Sequence, residues 1–273
     1  MAPRPIQRRH SNGVRGKVND MPTAGVEFAK VSYTADGGHI VLRDISLSLE
    51  AGTTTSLLGR SGSGKTTLLR TVNGLIRPTS GEVTLNHRSV MAIHDGEELA
   101  EFRRGIGYVI QETGLFPHMT VERNAALGLE LTGLPQAERE SRAREVIQLV
   151  GLDFDQFRKR YPWQLSGGQR QRVGLARALA LDPPVLLMDE PFGALDPLTR
   201  AEMQDMLKGL LRDLKKTVLL VTHDLNEALY LADRIVFLDC GEVAADLPVA
   251  EVLQSEILKV KDYVLSVNRR LSE

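Results

Sequence analysis

The chain has 273 residues, with 34 Lys or Arg against 35 Asp or Glu, and its formal net charge of -1 argues against a dedicated nucleic-acid-binding protein. With 42% hydrophobic and 25% charged residues, it has the composition of an ordinary globular protein of one large domain or two small ones. Its single cysteine, Cys240, excludes an internal disulfide and a thiolate zinc cluster, and no apolar run approaches the roughly 18 residues of a membrane-spanning helix.

Residues 1–25 differ in composition from the rest of the chain. Five basic residues stand there against one acidic residue, among many Pro, Gly and Asn. This composition predicts a disordered basic tail, with a weak electrostatic contact to anionic lipid as the alternative. Ordered structure is expected to start at Val26.

From Val26 to Ile110, apolar residues that alternate or run continuously predict strands separated by short turns. These strands are Val26–Phe28, Val31–Tyr33, 42–49, Thr53–Leu58, Gly81–Leu85 and Ile106–Ile110. Helices are predicted from Lys65 to about Leu75 and over Glu97–Arg104.

The stretch from about residue 113 to 177 has a helical character, with amphipathic patterns over Val121–Leu131 and Gln136–Val150. After it, strands and helices alternate again. The predicted strands are Val185–Met188, Thr217–Thr222 and Ile235–Leu238, and the predicted helices are one after Pro197 and Leu225–Leu231. This alternation predicts an α/β fold whose mostly parallel sheet is covered by helices.

A glycine-rich loop follows the predicted strand Thr53–Leu58. It fits the pattern G-x-x-x-x-G-K-[ST] in full, between a strand and a helix, with an ordinary glycine-rich turn as the alternative. Glycines let several backbone N–H groups face phosphate oxygens, Lys65 can reach the outer phosphates, and the Thr66 hydroxyl can bind Mg²⁺. The residues predicted to bind the phosphates of a nucleotide are Gly59, Arg60, Ser61, Gly62, Ser63, Gly64, Lys65, Thr66 and Thr67.

Two carboxylates end the predicted strand Val185–Met188. In a parallel sheet this strand lies beside the strand that leads into the phosphate loop, so Asp189 and Glu190 face the nucleotide. Asp189 is placed to hold Mg²⁺, directly or through water, and Glu190 to polarise an attacking water. A solvated strand end is the alternative, and the phosphate loop upstream favours the catalytic interpretation.

A second glycine-rich segment, Leu165–Gln169, precedes a predicted helix over Arg170–Ala180. Ser166 is a candidate N-cap and the glycines leave backbone N–H groups open to an anion, with an ordinary helix cap as the alternative. At this segment the chain resembles the ATP-binding cassette (ABC) superfamily, whose Walker A and Walker B segments the phosphate loop and the acidic strand end resemble. The residues that match the family signature are Ser166, Gly167, Gly168 and Gln169.

The resemblance implies roles for further residues. Gln111 is similar to the glutamine that contacts Mg²⁺ and the attacking water, His223 to the histidine near the γ-phosphate, and Asp196 to an aspartate at the dimer interface. Tyr33 stands where the family has an aromatic residue that stacks on adenine, with a place in the core as the alternative.

The resemblance also implies a mechanism. Glu190 is then the general base, and Thr66, Gln111 and Asp189 are the Mg²⁺ ligands. Two copies of the cassette pair head to tail around two ATP molecules, so the signature of one copy faces the nucleotide of the other. ATP would stabilise this closed dimer because it contacts both copies, and hydrolysis removes those contacts.

For the fold, the resemblance implies a P-loop NTPase of ABC type over residues 26–245, with a mostly parallel sheet core, an N-terminal antiparallel β part and a helical subdomain inserted at about 113–177. Residues 246–273 are then a short C-terminal helical extension. The insert resembles the subdomain that contacts a membrane subunit. Within it, Gly114–Thr120 is expected to form a docking groove, with core packing of Leu115 and Phe116 as the alternative.

The segments around the motifs, such as Gln111–Val121 and Asp182–Arg200, are similar to importer ATPases, in particular the osmoprotectant group that takes up glycine betaine, choline or carnitine. The resemblance implies a transmembrane permease as partner, a solute-binding protein as indirect partner, and a place on the cytoplasmic face of the membrane. Many members carry two regulatory CBS domains after the cassette, and the roughly 30 residues after Val243 are too few for one.

Other functions are alternatives to osmoprotectant uptake. These are import of amino acids or another solute, export, and a soluble ABC ATPase of DNA repair or translation. In the repair type a long coiled coil would split the cassette, and the translation type would carry two cassettes. A nucleotide-binding scaffold is a further alternative, and it would be expected to lack Glu190 or His223, both of which are present.

Overall fold

A computed structural model of the protein describes residues 25–271, with side chains as far as residue 266. The predicted basic tail lies outside the described residues, apart from Gly25. The strands are β1 (Val26–Thr34), β2 (Ile40–Leu49), β3 (Thr54–Leu58), β4 (Ser80–Leu85), β5 (Arg88–Ser89), β6 (Ile106–Val109), β7 (Val185–Asp189), β8 (Thr217–Thr222), β9 (Arg234–Asp239) and β10 (Glu242–Pro248).

Helices cover the sheets formed by these strands. They are α1 (Lys65–Val72), α2 (Gly96–Arg104), α3 (Val121–Leu131), α4 (Gln136–Leu149), α5 (Phe154–Phe157), α6 (Gly167–Leu179), α7 (Pro197–Leu214), α8 (Leu225–Leu231), α9 (Val249–Val252) and α10 (Leu258–Leu271). Within residues 25–271, no helix combines the length and the apolarity that crossing a membrane would need.

The larger sheet has the strand order β10-β9-β3-β8-β7-β6, and its pairs are parallel except for the antiparallel edge strand β10. Strands β3, β7 and β8 are buried along their whole length, which explains their continuous apolar sequences. The sequence placed β7 directly beside β3, which is wrong, because β8 lies between them. Since the strands are parallel, their carboxyl ends still meet at one edge. The predicted α/β fold with a mostly parallel core sheet is thus confirmed.

Three hydrophobic cores cover the larger sheet, and two of them lie on opposite faces of β7. Leu186 and Met188 of β7 lie in the first, together with side chains of α3, α4, α6 and α7. Val185 and Leu187 lie in the second, together with α1 and the smaller sheet. The faces alternate because successive strand residues point to opposite sides.

The smaller sheet is the expected antiparallel part, with the order β2-β1-β4-β5. Its first strand is continuous, whereas the sequence predicted two strands, Val26–Phe28 and Val31–Tyr33. The register shifts near Lys30, whose φ of 50° is left-handed. Gly81 of β4 packs against this point, where a Cβ would lie 2.1 Å from the Lys30 carbonyl oxygen. The predicted gap is therefore a bulge inside one strand.

The helical insert opens with a non-helical segment, and its first helix lies where the sequence predicted it, at Val121–Leu131. Residues 113–120 form no helix, because Thr113 and Gly114 adopt left-handed φ values of 55° and 54°. α3 begins after Thr120, whose Oγ1 accepts from the Arg123 N–H at 3.3 Å. At the other end of the chain, β10 extends to Pro248, so the helical extension predicted from residue 246 begins at Val249.

Candidate functional site

The phosphate loop lies between β3 and α1, at the carboxyl edge of the larger sheet. Gly62 and Gly64 have φ values of 81° and 99°, which residues with a side chain rarely adopt. Gly59 has no room for a side chain, since a Cβ there would lie 2.2 Å from the Leu238 carbonyl oxygen. These glycines give the loop its path and keep side chains out of it. Arg60 and Ser61 are exposed on it.

Lys65 lies inside this loop, with only 6% of its surface exposed. Its Nζ donates hydrogen bonds to the carbonyl oxygens of Gly59 at 2.7 Å and Arg60 at 2.9 Å. Burial lowers the pKa of Lys65, while the charges of Glu190 and Asp189 act in the opposite direction. The ammonium group is therefore held at the loop by main-chain carbonyls.

Ser63 adds a second polar group to the loop. Its Oγ is buried and has no hydrogen-bond partner among residues 25–271. Buried hydroxyls in folded proteins usually have a hydrogen-bond partner in the protein, in ordered water or in a ligand. An anion seated in the loop would be such a partner.

Thr66 and Asp189 meet directly beside the loop. The Thr66 Oγ1 donates to Asp189 Oδ1 at 2.7 Å, and Asp189 is only 3% exposed. Arg70, one turn further along α1, approaches Asp189 at 3.5 Å and was not anticipated from the sequence. Its spacing of four residues from Thr66, which places both on one helix face, was the available signal. Thr67 is half-buried in the same helix.

Glu190 and His223 form a second pair at the same sheet edge. Glu190 Oε2 lies 3.2 Å from His223 Nδ1. Glu190 continues the pairing of β7 with β8, since its N–H donates to the Val221 carbonyl at 3.0 Å. Its φ of 45°, however, is left-handed. After this turn, the Glu190 carboxylate lies beside His223, the residue that follows β8.

Gln111 lies on the exposed turn after β6. A Cβ added to Gly193 would lie 3.7 Å from Glu190 Oε2 and 4.0 Å from Gln111 Nε2. The Gln111 amide and the Glu190 carboxylate therefore border the same space beside Gly193. The structure brings the three predicted catalytic residues, Glu190, His223 and Gln111, to one edge of the sheet.

The signature segment begins α6 with a reciprocal cap. The Gln169 N–H donates to Ser166 Oγ at 3.2 Å, and the Ser166 N–H donates to Gln169 Oε1 at 3.0 Å. This capping box starts the helix at Gly167 rather than at the predicted Arg170. Within residues 25–271, no hydrogen bond or ion pair joins the segment to the phosphate loop.

The signature instead packs on the loop that carries Asp196. A Cβ on Gly167 would lie 3.5 Å from Leu195 Cδ2, and one on Gly168 would lie 2.4 Å from Thr199 Cγ2. Asp196 is exposed and caps α7, accepting from the Thr199 N–H at 3.1 Å. Hydrogen bonds from Thr199 lower the pKa of Asp196. The two segments predicted to meet a partner copy thus share one surface.

Tyr33 lies at the end of β1, paired with Leu42 of β2. Leu42 reaches the phosphate loop, because a Cβ on Gly64 would lie 2.8 Å from Leu42 Cδ2. Tyr33 is half-buried and packs partly against the second core. It is therefore one strand away from the loop, with part of its ring in core contact and part of its side chain exposed.

Glu227 and Arg200 are two charged residues near the site that the sequence did not single out. Both line a small cavity beside Glu190 and His223. Glu227 follows the N-cap Asp224 in the first turn of α8, where a carboxylate normally has a helix-dipole role. The sequence therefore contains no sign that Glu227 is buried, because its burial depends on how α8 packs.

Comparison with known proteins gives the same assignment as the motifs. The family model described as ABC transporter matches residues 42–193. The chain is 46% identical over 218 residues to the glycine betaine/carnitine/choline transport ATP-binding protein OpuCA of Bacillus subtilis, covering 80% of this chain and 56% of that protein. It is also 47% identical over 207 residues to the sulfate/thiosulfate import ATP-binding protein CysA of Mycobacterium bovis, covering 76% of this chain and 57% of that protein.

A solved structure has a similar fold. The dimeric post-hydrolysis state of the ATP-binding cassette MJ0796, bound to ADP and Pi, aligns with a TM-score of 0.75 and 37% identity, covering 82% of this chain and 98% of that one. The chain spans little more than half the length of the two curated relatives, at 56% and 57%.

Proposed function

Because this chain belongs to the ABC transporter family, whose model matches residues 42–193, we propose that it is the ATP-hydrolysing subunit of an importer for quaternary-amine osmoprotectants. One observation carries the ATPase part of this proposal. The phosphate loop with Lys65, the Thr66–Asp189 contact and the Glu190–His223 pair all lie at the carboxyl edge of one parallel sheet, which is where such sheets bind ligands.

The loop binds the phosphates of ATP through its backbone N–H groups and Lys65. The two carbonyl contacts of Lys65, at 2.7 and 2.9 Å, are exchanged for phosphate oxygens when nucleotide enters. The buried Ser63 hydroxyl gains a partner at the same time. Tyr33 stacks on the adenine with the exposed part of its ring.

The residues present fit a magnesium ion. The Thr66 hydroxyl and the Asp189 carboxylate, 2.7 Å apart, are hard oxygen donors of the kind that Mg²⁺ prefers, and Gln111 supplies a third. The ion would neutralise charge on the β- and γ-phosphates when bound.

Glu190 accepts a proton from the attacking water, and His223 orients that carboxylate from 3.2 Å. Lys65 stabilises the charge that develops on the transferred phosphoryl group. The cap of α6 leaves the Gly167 and Gly168 N–H groups at a helix N-terminus, a favourable place for phosphate oxygens of a second copy's nucleotide. Two copies, joined through this surface and Asp196, therefore close on two ATP molecules.

A transmembrane permease is the direct partner, and a solute-binding protein acts indirectly through it. The segment Gly114–Thr120, close after Gln111 in the chain, offers the docking site on the helical insert. The cassette would thus work at the cytoplasmic face of a membrane. A second candidate, import of another solute, is favoured by the relative named for sulfate and thiosulfate, which is 47% identical to this chain.

Two experiments test the proposal in turn. The purified chain should release phosphate from Mg²⁺-ATP, and a failure to hydrolyse ATP would refute the enzymatic part. The chain is then purified with its permease, and the solute held by the associated binding protein is identified by mass spectrometry. A quaternary amine is expected, whereas sulfate would refute the substrate and leave the ATPase intact.

A further inference from the structure

A small cavity lies beside the Glu190–His223 pair, and both residues line it. It has a volume of about 40 Å³, and its polar lining includes Arg200, Thr222 and Glu227 in addition to that pair. The cavity is enclosed by the end of β7, the start of α7 and the first turn of α8. It therefore connects the catalytic pair with α7 and α8.

Two polar atoms at this cavity have no partner. Glu227 Oε1 and Arg200 Nε are both buried, and neither forms a hydrogen bond within the described part of the chain. Glu227 is only 5% exposed. Leaving such groups unsatisfied in a protein interior is energetically unfavourable. A water needs roughly 10–15 Å³ of such space and two to four polar partners, so a cavity of this size and lining is expected to hold water.

The surroundings of Glu227 favour its neutral form. Burial raises the pKa of Glu227 to about 8, and the carboxylates of Asp224 and Glu190 act in the same direction, while the Thr222 hydrogen bond and Arg200 oppose it. The His223 side chain faces the same cavity. At neutral pH the Glu227 carboxyl group is therefore both a donor and an acceptor.

Arg200 connects this cavity to the surface that carries Asp196. Its Nη2 donates a hydrogen bond to the Leu195 carbonyl at 3.1 Å, one residue before Asp196. The same side chain lines the cavity, and its Nε has no hydrogen-bond partner within residues 25–271. One side chain thus touches both the predicted dimer contact and the space behind Glu190.

We propose that Glu227 is a positioning residue, which fixes the Glu190–His223 pair relative to the Asp196 loop through Arg200 and the water in this cavity. The inference rests on the proposed ATP hydrolysis. The neutral carboxyl donates to cavity water next to Glu190 and leaves Arg200 bound to the Leu195 carbonyl. Loss of its proton makes Glu227 an acceptor that competes for Arg200 and adds a charge behind Glu190, so the geometry of the pair is disturbed.

The test is the pH profile of ATP hydrolysis by the full chain, from pH 6 to 9.5. The wild type is expected to lose kcat with an inflection near pH 8, and Glu227→Gln, which cannot ionise, is expected to lack that inflection. Glu227→Leu is expected to lower kcat at pH 7 at least tenfold while the KM for ATP changes less than twofold. Glu227→Gln is expected to keep most of the wild-type kcat at this pH. Glu202→Gln, an exposed change on α7, is the control that keeps the wild-type profile.

The outcomes separate this inference from the proposed function. A wild-type enzyme with the same pH profile as Glu227→Gln, or a Glu227→Leu variant with full kcat, would overturn the inference alone. Absence of ATP hydrolysis by the wild type would overturn both. Thermal unfolding and ATP binding of each variant, measured on the same preparations, distinguish a lost position from a lost fold.

Discussion

The hydroxyl of Tyr263 in α10 donates a hydrogen bond of 2.8 Å to the main-chain carbonyl of His223. The C-terminal helix therefore touches the segment that presents the histidine to Glu190. The ring of Tyr263 also packs edge-on against Phe237, with 5.9 Å between ring centroids. The hydrogen bond, held in place by this ring contact, restrains the His223 backbone.

Replacing Tyr263 by Phe should slow hydrolysis modestly. The ring contact with Phe237 stays, and the lost hydrogen bond corresponds to about 0.5–1 kcal/mol. If all of this energy raises the activation barrier through the position of His223, kcat falls about two- to fivefold. Tyr230→Phe is the matched control, since it removes a hydroxyl bonded to Asp205 on an exposed face. Equal changes in phosphate release by both variants would argue against the restraint.

Glu190→Gln should retain ATP binding and trap a closed dimer. The amide cannot accept the proton of the attacking water, so phosphate release should fall by about 10²-fold or more. Size-exclusion chromatography with ATP should then show a dimer that the wild type forms only transiently. Asp213→Asn, on the exposed face of α7, should behave as the wild type. Rapid hydrolysis by Glu190→Gln would disprove the role of this residue.

Lys65→Met should weaken nucleotide binding. The ammonium group of Lys65 donates two charge-assisted hydrogen bonds inside the loop, at 2.7 and 2.9 Å. Without this group, the corresponding bonds to the phosphates of ATP cannot form. Such bonds contribute about 1.5–3 kcal/mol, which corresponds to a Kd for ATP about 10- to 100-fold higher. Titration with a fluorescent ATP analogue measures this change. Lys208→Met, an exposed change on α7, serves as control, and an unchanged Kd for Lys65→Met would contradict the assignment.

The strands and helices that build the sheet edge were predictable because their sequences are strongly patterned. β8 and α3 begin and end where their apolar patterns do, at Thr217–Thr222 and Val121–Leu131. Gly59–Thr66 and the acidic end of β7 were predictable since phosphate binding demands particular residues at fixed spacing. Such signals are local, so a single sequence contains them in full.

Features that depend on distant contacts could not be predicted in this way. The continuity of β1 rests on Gly81, about fifty residues away along the chain, which receives the bulge at Lys30. β10 carries a mixed pattern because it is a partly exposed edge strand. Glu227 has the sequence context of an ordinary helix start, and its burial follows from the packing of α7 and α8. In each case tertiary contacts outweigh the local signal.

A glycine series should separate steric need from backbone strain in the phosphate loop. Gly59→Ala places a Cβ 2.2 Å from the Leu238 carbonyl, within a paired strand, and should destabilise the fold by about 3 kcal/mol or more. Gly62→Ala meets no atom within 4 Å but retains a φ of 81°, so a loss of about 1 kcal/mol is expected. Gly96→Ala at the start of α2 should be nearly neutral. Urea unfolding measures all three, and the reverse order would refute the geometry.

The wild type should lose stability relative to Glu227→Gln as the pH rises from about 5 to 8. Burial raises the pKa of Glu227 from 4.5 to about 8 in the folded protein, so within this window the unfolded chain binds fewer protons than the folded chain. The free energy of unfolding then falls with pH, by at most about 1.4 kcal/mol per unit, and the fall ends once the folded carboxyl also ionises. The Gln variant lacks this contribution, whereas Glu202→Gln should follow the wild type throughout. Urea titrations at pH 5, 6.5, 8 and 9 give the difference between wild type and variant, and a difference that stays constant over this range would show that Glu227 is charged in the folded protein.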